Sequence, residues 1–200
     1  MTLADTLREA LALGAKRSPV LLSGDPLDPL AQPDQPVIPA AVLVPVVDRL
    51  EPTVILTLRT NEVRRHPGQI SFPGGRIDQG DAGPVEAALR EAEEEIGLPR
   101  ACVELVGTAD PYQTITGYEV IPVVGVVAPD IPLTPQPSEV AAIFEVPLHY
   151  MLDGRHQQVR TVEWRGAERS YYEIQWQEHR IWGATAAMIV NLSRRLQLAP

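Results

Sequence analysis

The sequence predicts a single α/β (α+β) domain, with a mixed β-sheet layered between a few helices. Short apolar, β-branched stretches recur at 39–47, 53–60, 103–108, 118–127 and 140–148, while only three stretches carry helical spacing. Strands that alternate with few helices bury their apolar faces as layers around a sheet. A chain of 200 residues, 44% hydrophobic and 22% charged, suits one sizeable core, so the domain is predicted to span 1–200.

Each element follows from local pattern. Thr2 to Ala15 sets leucines at 3, 7 and 11 on one helical face. Six prolines between Pro19 and Pro39 predict an extended arm over about 18–39. Pro39 to Val47 and Thr53 to Thr60 read as strands joined by a hairpin through Asp48 to Pro52. From Pro84 the period turns helical: Leu89, Ala92 and Ile96 form an apolar stripe, Pro84 suits the first turn and Gly97 a C-terminal cap. Val103 to Thr108 and Tyr118 to Val127 read as strands, the second apolar enough to be central. A proline-rich loop from Pro129 to Pro137 precedes Glu139, and alternation returns from Val140 to Leu148. His156 to Trp164 and Tyr171 to Ile181 predict a hairpin around Gly166, and Trp182 to Leu198 a closing helix.

Composition narrows the function. A formal charge of −9 argues against general nucleic-acid binding, which needs a basic footprint. Cys102 is the single cysteine, so no intrachain disulfide forms and a reducing cytoplasm fits. Met1 to Gly14 lacks a basic start followed by an apolar run, and no stretch of about 20 apolar residues is present, so neither export nor a membrane span is expected. Lys16 is the only lysine, which disfavours lysine-based covalent catalysis, whereas the arginines suit bidentate phosphate recognition.

The chemistry concentrates between Gly74 and Leu98. Glu91, Glu94 and Glu95 stand at i, i+3 and i+4, a spacing that places like charges close together at a cost of a few tenths of a kcal/mol per pair. A cation relieves that repulsion, and oxygen ligands point to Mg²⁺ or Mn²⁺ rather than zinc. Arg90 is placed to pair with Glu93 or Glu94 and hold a metal-binding carboxylate in one rotamer. Gly74 and Gly75 permit a tight loop before the helix. The ordinary alternative is a solvated acidic helix face, which the flanking glycines and the placed arginine disfavour.

Gly75, Asp81, Arg90, Glu91, Glu94, Glu95 and Gly97 closely resemble the signature of the Nudix hydrolases, which cleave nucleoside diphosphates linked to another group. Asp81 stands where that family usually has Glu, and one extra residue separates it from Arg90. Upstream, Leu56 to Thr60, Arg64, Gly68 and Phe72 to Gly75 look like the extra motif of the Nudix branch that hydrolyses coenzyme A, with Thr60 in place of the usual Ser or Ala. Ile181 to Ala186 is similar to a segment near the C-terminus of that branch. The resemblance implies an α/β/α sandwich around a mixed sheet. It further implies Mg²⁺ or Mn²⁺ held by Glu91, Glu94 and Glu95 with the Gly75 carbonyl, and hydrolysis of coenzyme A to adenosine 3′,5′-bisphosphate and 4′-phosphopantetheine.

The remaining assignments follow that resemblance. Glu139 is the candidate general base, with Glu94 or Glu95 as substitutes, and a surface acid is its ordinary alternative. Arg59, Arg64 and His66, with Gly74, are the candidate substrate contacts, the arginines toward phosphates including a 3′-phosphate. Arg59 has the alternative of a structural ion pair, and His66 that of a loop hydrogen-bonder. Tyr118, Tyr172 and Trp182 are candidates to stack on adenine or to fill core. The competing functions are Nudix hydrolysis of ADP-ribose, dinucleoside polyphosphates or oxidised nucleotides, and a non-catalytic nucleotide sensor. A calcium-binding structural domain is disfavoured, because 78–95 lacks the alternating Asp/Asn loop.

Overall fold

The structure, a computed structural model, describes residues 1–19, 37–61, 68–164 and 166–197. The prolines from 26 to 36, Arg64 and His66 lie outside the described residues.

Helix α1 (Leu3–Gly14) starts at Thr2, whose hydroxyl accepts the Asp5 amide at 3.1 Å while the Asp5 carboxylate accepts the Thr2 amide at 3.0 Å. Strands β1 (Ile38–Val47) and β2 (Thr53–Arg59) form the expected hairpin, with Val47 opposite Thr53. Two short strands, β3 (Ile70–Ser71) and β4 (Gly74–Arg76), lead into α2 (Pro84–Ile96). Then come β5 (Val103–Thr108), β6 (Tyr112–Gln113), β7 (Tyr118–Val127), β8 (Val140–Pro147) and α3 (Leu148–Leu152). The chain closes with β9 (Gln158–Trp164), β10 (Ala167–Trp176), β11 (His179–Trp182) and α4 (Ala184–Leu196).

The large sheet runs β3-β2-β1-β7-β5, with β4 also on β1, β6 on β7 and β8 on β2. Strand β1 lies parallel to β7, from Ile38 opposite Tyr118 to Val47 opposite Val127, and the other pairings are antiparallel, so the sheet is mixed as predicted. Side chains of β1 alternate between two cores. Ala40, Val44 and Val46 join a core with α1, α4 and Ile174 of β10, while Ala41, Leu43 and Val47 join a second core with Ala88, Ala92 and Ile96 of α2. The sheet is thus covered on both faces, which is why β1 and residues 120–127 of β7 are apolar without interruption. Strands β9, β10 and β11 form a separate antiparallel sheet, and no helix among the described residues is long and apolar enough to cross a membrane.

Several boundaries differ from the sequence reading. Tyr171 to Ile181 is two strands, because Gln177 takes a left-handed φ of 52° and turns the chain. The last helix starts at Ala184, after Gly183 at φ 65°, so Trp182 is a strand residue. The stretch predicted to run from Val140 to Leu148 as a strand gives way to α3 at Leu148. Pro84 at the helix start and Gly97 as a left-handed C-cap (φ 67°) match expectation.

Candidate active site

The site is built where β2, β4, α2 and the 134–139 loop meet. Helix α2 docks on the sheet through Ala87, Ala88, Ala92 and Ile96, small enough to bring its axis close to β1. Successive residues on a helix turn by about 100°. The docked face therefore draws Glu95 inward, to 3% exposure, and leaves Glu94 outward, with its side chain 60% exposed. The three glutamates lie within about 100° of one another around the helix axis, as i, i+3 and i+4 spacing requires, but differ in burial. They straddle the helix edge, with Glu91 half-buried between the other two.

Glu95 is held from two sides. Its Oε2 accepts the Gly74 amide at 3.1 Å and its Oε1 lies 3.3 Å from Arg59 Nη1. Burial outweighs both and lifts its carboxyl to about 7, aided by the charges of Glu91 and Glu139. Glu91 is also raised, first by burial and then by the charges of Glu94 and Glu139. Glu139 thus acts electrostatically on both acids from a neighbouring loop, its carboxylate side exposed. A third residue shapes the pocket: a Cβ on Gly75 would stand 2.6 Å from both Glu91 carboxylate oxygens, so only glycine leaves that carboxylate where it is.

Arg90 organises the rim. Nε and Nη2 each bond Asp81 at 3.0 Å, a bidentate pair, and Nη2 also donates to the Arg76 carbonyl at 3.1 Å. Nη1 reaches Glu91 at 2.9 Å and Glu94 at 3.1 Å. Glu93, the other partner considered for Arg90, instead pairs with Arg100 at 2.8 Å. The Arg90 guanidinium holds the Asp81 carboxyl below the usual carboxylate range. Asp81 is thus the main anchor of Arg90, across a separation lengthened by the one extra residue.

The donor set suits a hard divalent cation: carboxylates at 91 and 95 that burial, with neighbouring carboxylates, holds back from ionising, beside a loop with no side chain at Gly75. Among the described residues no three His, Cys, Asp or Glu side chains converge into a ready cage, and Arg90 bonds both Glu91 and Glu94.

The three aromatic candidates differ in exposure. Tyr172 is buried in the core and Trp182 is 37% exposed on the small sheet, with Arg180 5.1 Å over its ring. Tyr118 accepts a hydrogen bond from Arg76 Nη2 at 3.0 Å. Arg76 was not singled out by sequence; its position directly after Gly75 was the available signal. Nor was Gln136, whose amide donates to the Glu95 carbonyl at 2.8 Å. Its only mark is its place between two prolines.

A mixed sheet covered by an acidic helix, with a glycine loop against its carboxylates, is the arrangement that the resemblance to the Nudix hydrolases implies. The chain belongs to the Nudix family, whose NUDIX domain model matches residues 37–165. It is 41% identical over 162 residues to the uncharacterized Nudix hydrolase NudL of Escherichia coli K12, spanning 80% of this chain and 84% of that relative, and NudL of Shigella flexneri matches to the same extent. Among solved structures, the Nudix hydrolase RenU from M. smegmatis is 23% identical, covers 57% of this chain and 73% of its own, and superposes with a TM-score of 0.49.

Proposed function

We propose that this Nudix hydrolase cleaves the pyrophosphate bond of coenzyme A, in its free, oxidised or acylated form, to adenosine 3′,5′-bisphosphate and 4′-phosphopantetheine. One observation carries the reading. Arg59 and Gly74, from the upstream motif that resembles the coenzyme A branch, both bind Glu95 of the signature helix. The two motifs thus act on one carboxylate rather than standing apart.

Glu91, Glu94 and Glu95, with the Gly75 carbonyl, would hold Mg²⁺ or Mn²⁺, which would supply charge neutralisation of the pyrophosphate and a more acidic water. Arg90 keeps Glu91 and Glu94 in fixed rotamers through its Asp81 anchor. Glu139 takes the proton of the attacking water as general base. The Arg59 side chain is 23% exposed, and with Arg64, His66 and the Gly74 loop it meets the substrate's phosphates. Residues 1–200 act as one Nudix domain, in the cytoplasm, on a small molecule rather than on nucleic acid or membrane.

The test is a substrate panel: coenzyme A, dephospho-coenzyme A, ADP-ribose and diadenosine tetraphosphate, each with Mg²⁺ or Mn²⁺. The expected result is a kcat/KM for coenzyme A at least about tenfold above the others, the scale of one charge-assisted contact to the 3′-phosphate. Preference for ADP-ribose or a dinucleoside polyphosphate would discard the coenzyme A reading and keep the Nudix chemistry. Inactivity on all four would favour a nucleotide sensor.

A further inference from the structure

We propose that Gln136 is a positioning residue whose main chain straps the candidate base Glu139 to the C-terminus of α2; this rests on the reading of Glu139 given above. The last carbonyls of a helix lack partners within it. Here the loop supplies them: the Thr134 amide donates to the Ile96 carbonyl at 2.9 Å, and the Gln136 amide to the Glu95 carbonyl at 2.8 Å. Alternate amides of an extended segment thus cap successive helix carbonyls.

The same Gln136 then turns to the base. Its carbonyl accepts the Glu139 amide at 2.9 Å and the Val140 amide at 2.8 Å. The Glu139 carbonyl in turn accepts the Thr60 amide at 2.9 Å, one residue beyond Arg59. Among the described residues, Gln136 therefore links the backbone of Glu95 to the backbone of Glu139 through hydrogen bonds at both its amide and its carbonyl.

The sequence stiffens this strap. Pro135 and Pro137 carry no N–H, so Gln136 supplies the only amide of the three, and a residue before proline is confined to extended backbone. The Gln136 side chain is exposed, which leaves the main chain to do the holding. A general base works only within hydrogen-bond reach of its proton, and a displacement of about 1 Å can cost roughly 10²-fold in rate.

The experiment compares Gln136→Pro, Gln136→Ala, Glu139→Gln and the double variant Gln136→Pro/Glu139→Gln on whichever panel substrate is turned over. Gln136→Pro deletes one amide and is expected to lower kcat roughly tenfold or more, with KM changed by less than about twofold. Gln136→Ala keeps the amide and restores turnover. In the Glu139→Gln background, Gln136→Pro is expected to add nothing, because a strap acts only through the group it holds. Amide exchange at Glu139 and Val140 of the metal-free protein should quicken in Gln136→Pro. If that variant unfolds, Pro135→Gly loosens the strap without removing the donor and should show the same dependence on Glu139. Wild-type kcat in Gln136→Pro, or an equal loss in the Glu139→Gln background, would overturn the strap. Wild-type turnover in Glu139→Gln would instead overturn Glu139 as the base.

Discussion

Arg59 Nη1 lies 3.3 Å from Glu95 Oε1, and so joins the last residue of β2 to a buried acid of α2. Removing one partner of a buried pair leaves the other charge uncompensated. Arg59→Ala should therefore destabilise the metal-free protein by about 1–3 kcal/mol at pH 8, and by less at pH 5, where the Glu95 proton already neutralises it. Denaturant unfolding at the two pH values checks this; equal losses at both would show that the pair is electrostatically idle.

Glu95 itself makes stability depend on pH. Its folded carboxyl sits at about 7 against an ordinary 4.5, because burial disfavours the charge. Below pH 4.5 both folded and unfolded chains hold the proton. Between 4.5 and 7 the folded chain keeps a proton that the unfolded chain has released, so this contribution to stability falls as pH rises and levels off above 7. Glu95→Gln should flatten the decline, by up to about 3 kcal/mol between pH 5 and pH 8. An unchanged slope in the variant would refute the assignment.

Divalent cation should act in the opposite sense. Ligand carboxylates bind metal only when ionised, and binding to the folded state alone adds stability by mass action. Millimolar Mg²⁺ or Mn²⁺ should raise the thermal midpoint more at pH 8 than at pH 5, and the gain should shrink in Glu91→Gln and Glu95→Gln. A calcium-like or salt-like rise that ignores both substitutions would count against these residues as ligands.

The two glycines of the loop should fail differently. A Cβ at Gly74 would press on the Ala41 carbonyl and stand 2.6 Å from Val42 Cα, both backbone of the neighbouring strand, so Gly74→Ala should lose about 3 kcal/mol or more. At Gly75 the obstruction is the end of the Glu91 side chain, which can swing away. Gly75→Ala should fold with a loss below about 1.5 kcal/mol and yet turn over at least about tenfold more slowly. Comparable unfolding curves for both variants would contradict this.

How much of this was legible in the sequence depended on whether the signal was local. Helix α2 announced itself because Pro84, Gly97 and the small apolar residues between them act within one helix. The burial of Glu95 did not, since periodicity gives relative angles and not which of two neighbouring faces the sheet will take; Ala88, silent in the predicted stripe, helped to set that choice. The turn at Gln177 lacked any Gly, Pro or Asn to mark it. The parallel pairing of β1 with β7 joins residues 80 apart, which no local pattern encodes. In the site, the sequence pairs Arg90 with Glu93 or Glu94 and misses Asp81, nine residues away across a loop, and it misses the Gln136 amide bond to Glu95, because that bond is made by main chain.

The most direct test of the account is to identify by mass the products formed from coenzyme A by the wild-type chain and by Glu95→Gln, with Mg²⁺ or Mn²⁺ and with chelator. The account predicts adenosine 3′,5′-bisphosphate and 4′-phosphopantetheine from the wild type only with metal, and a rate at least roughly 10²-fold lower from the variant. Intact coenzyme A in every arm, or equal turnover by Glu95→Gln, would contradict it.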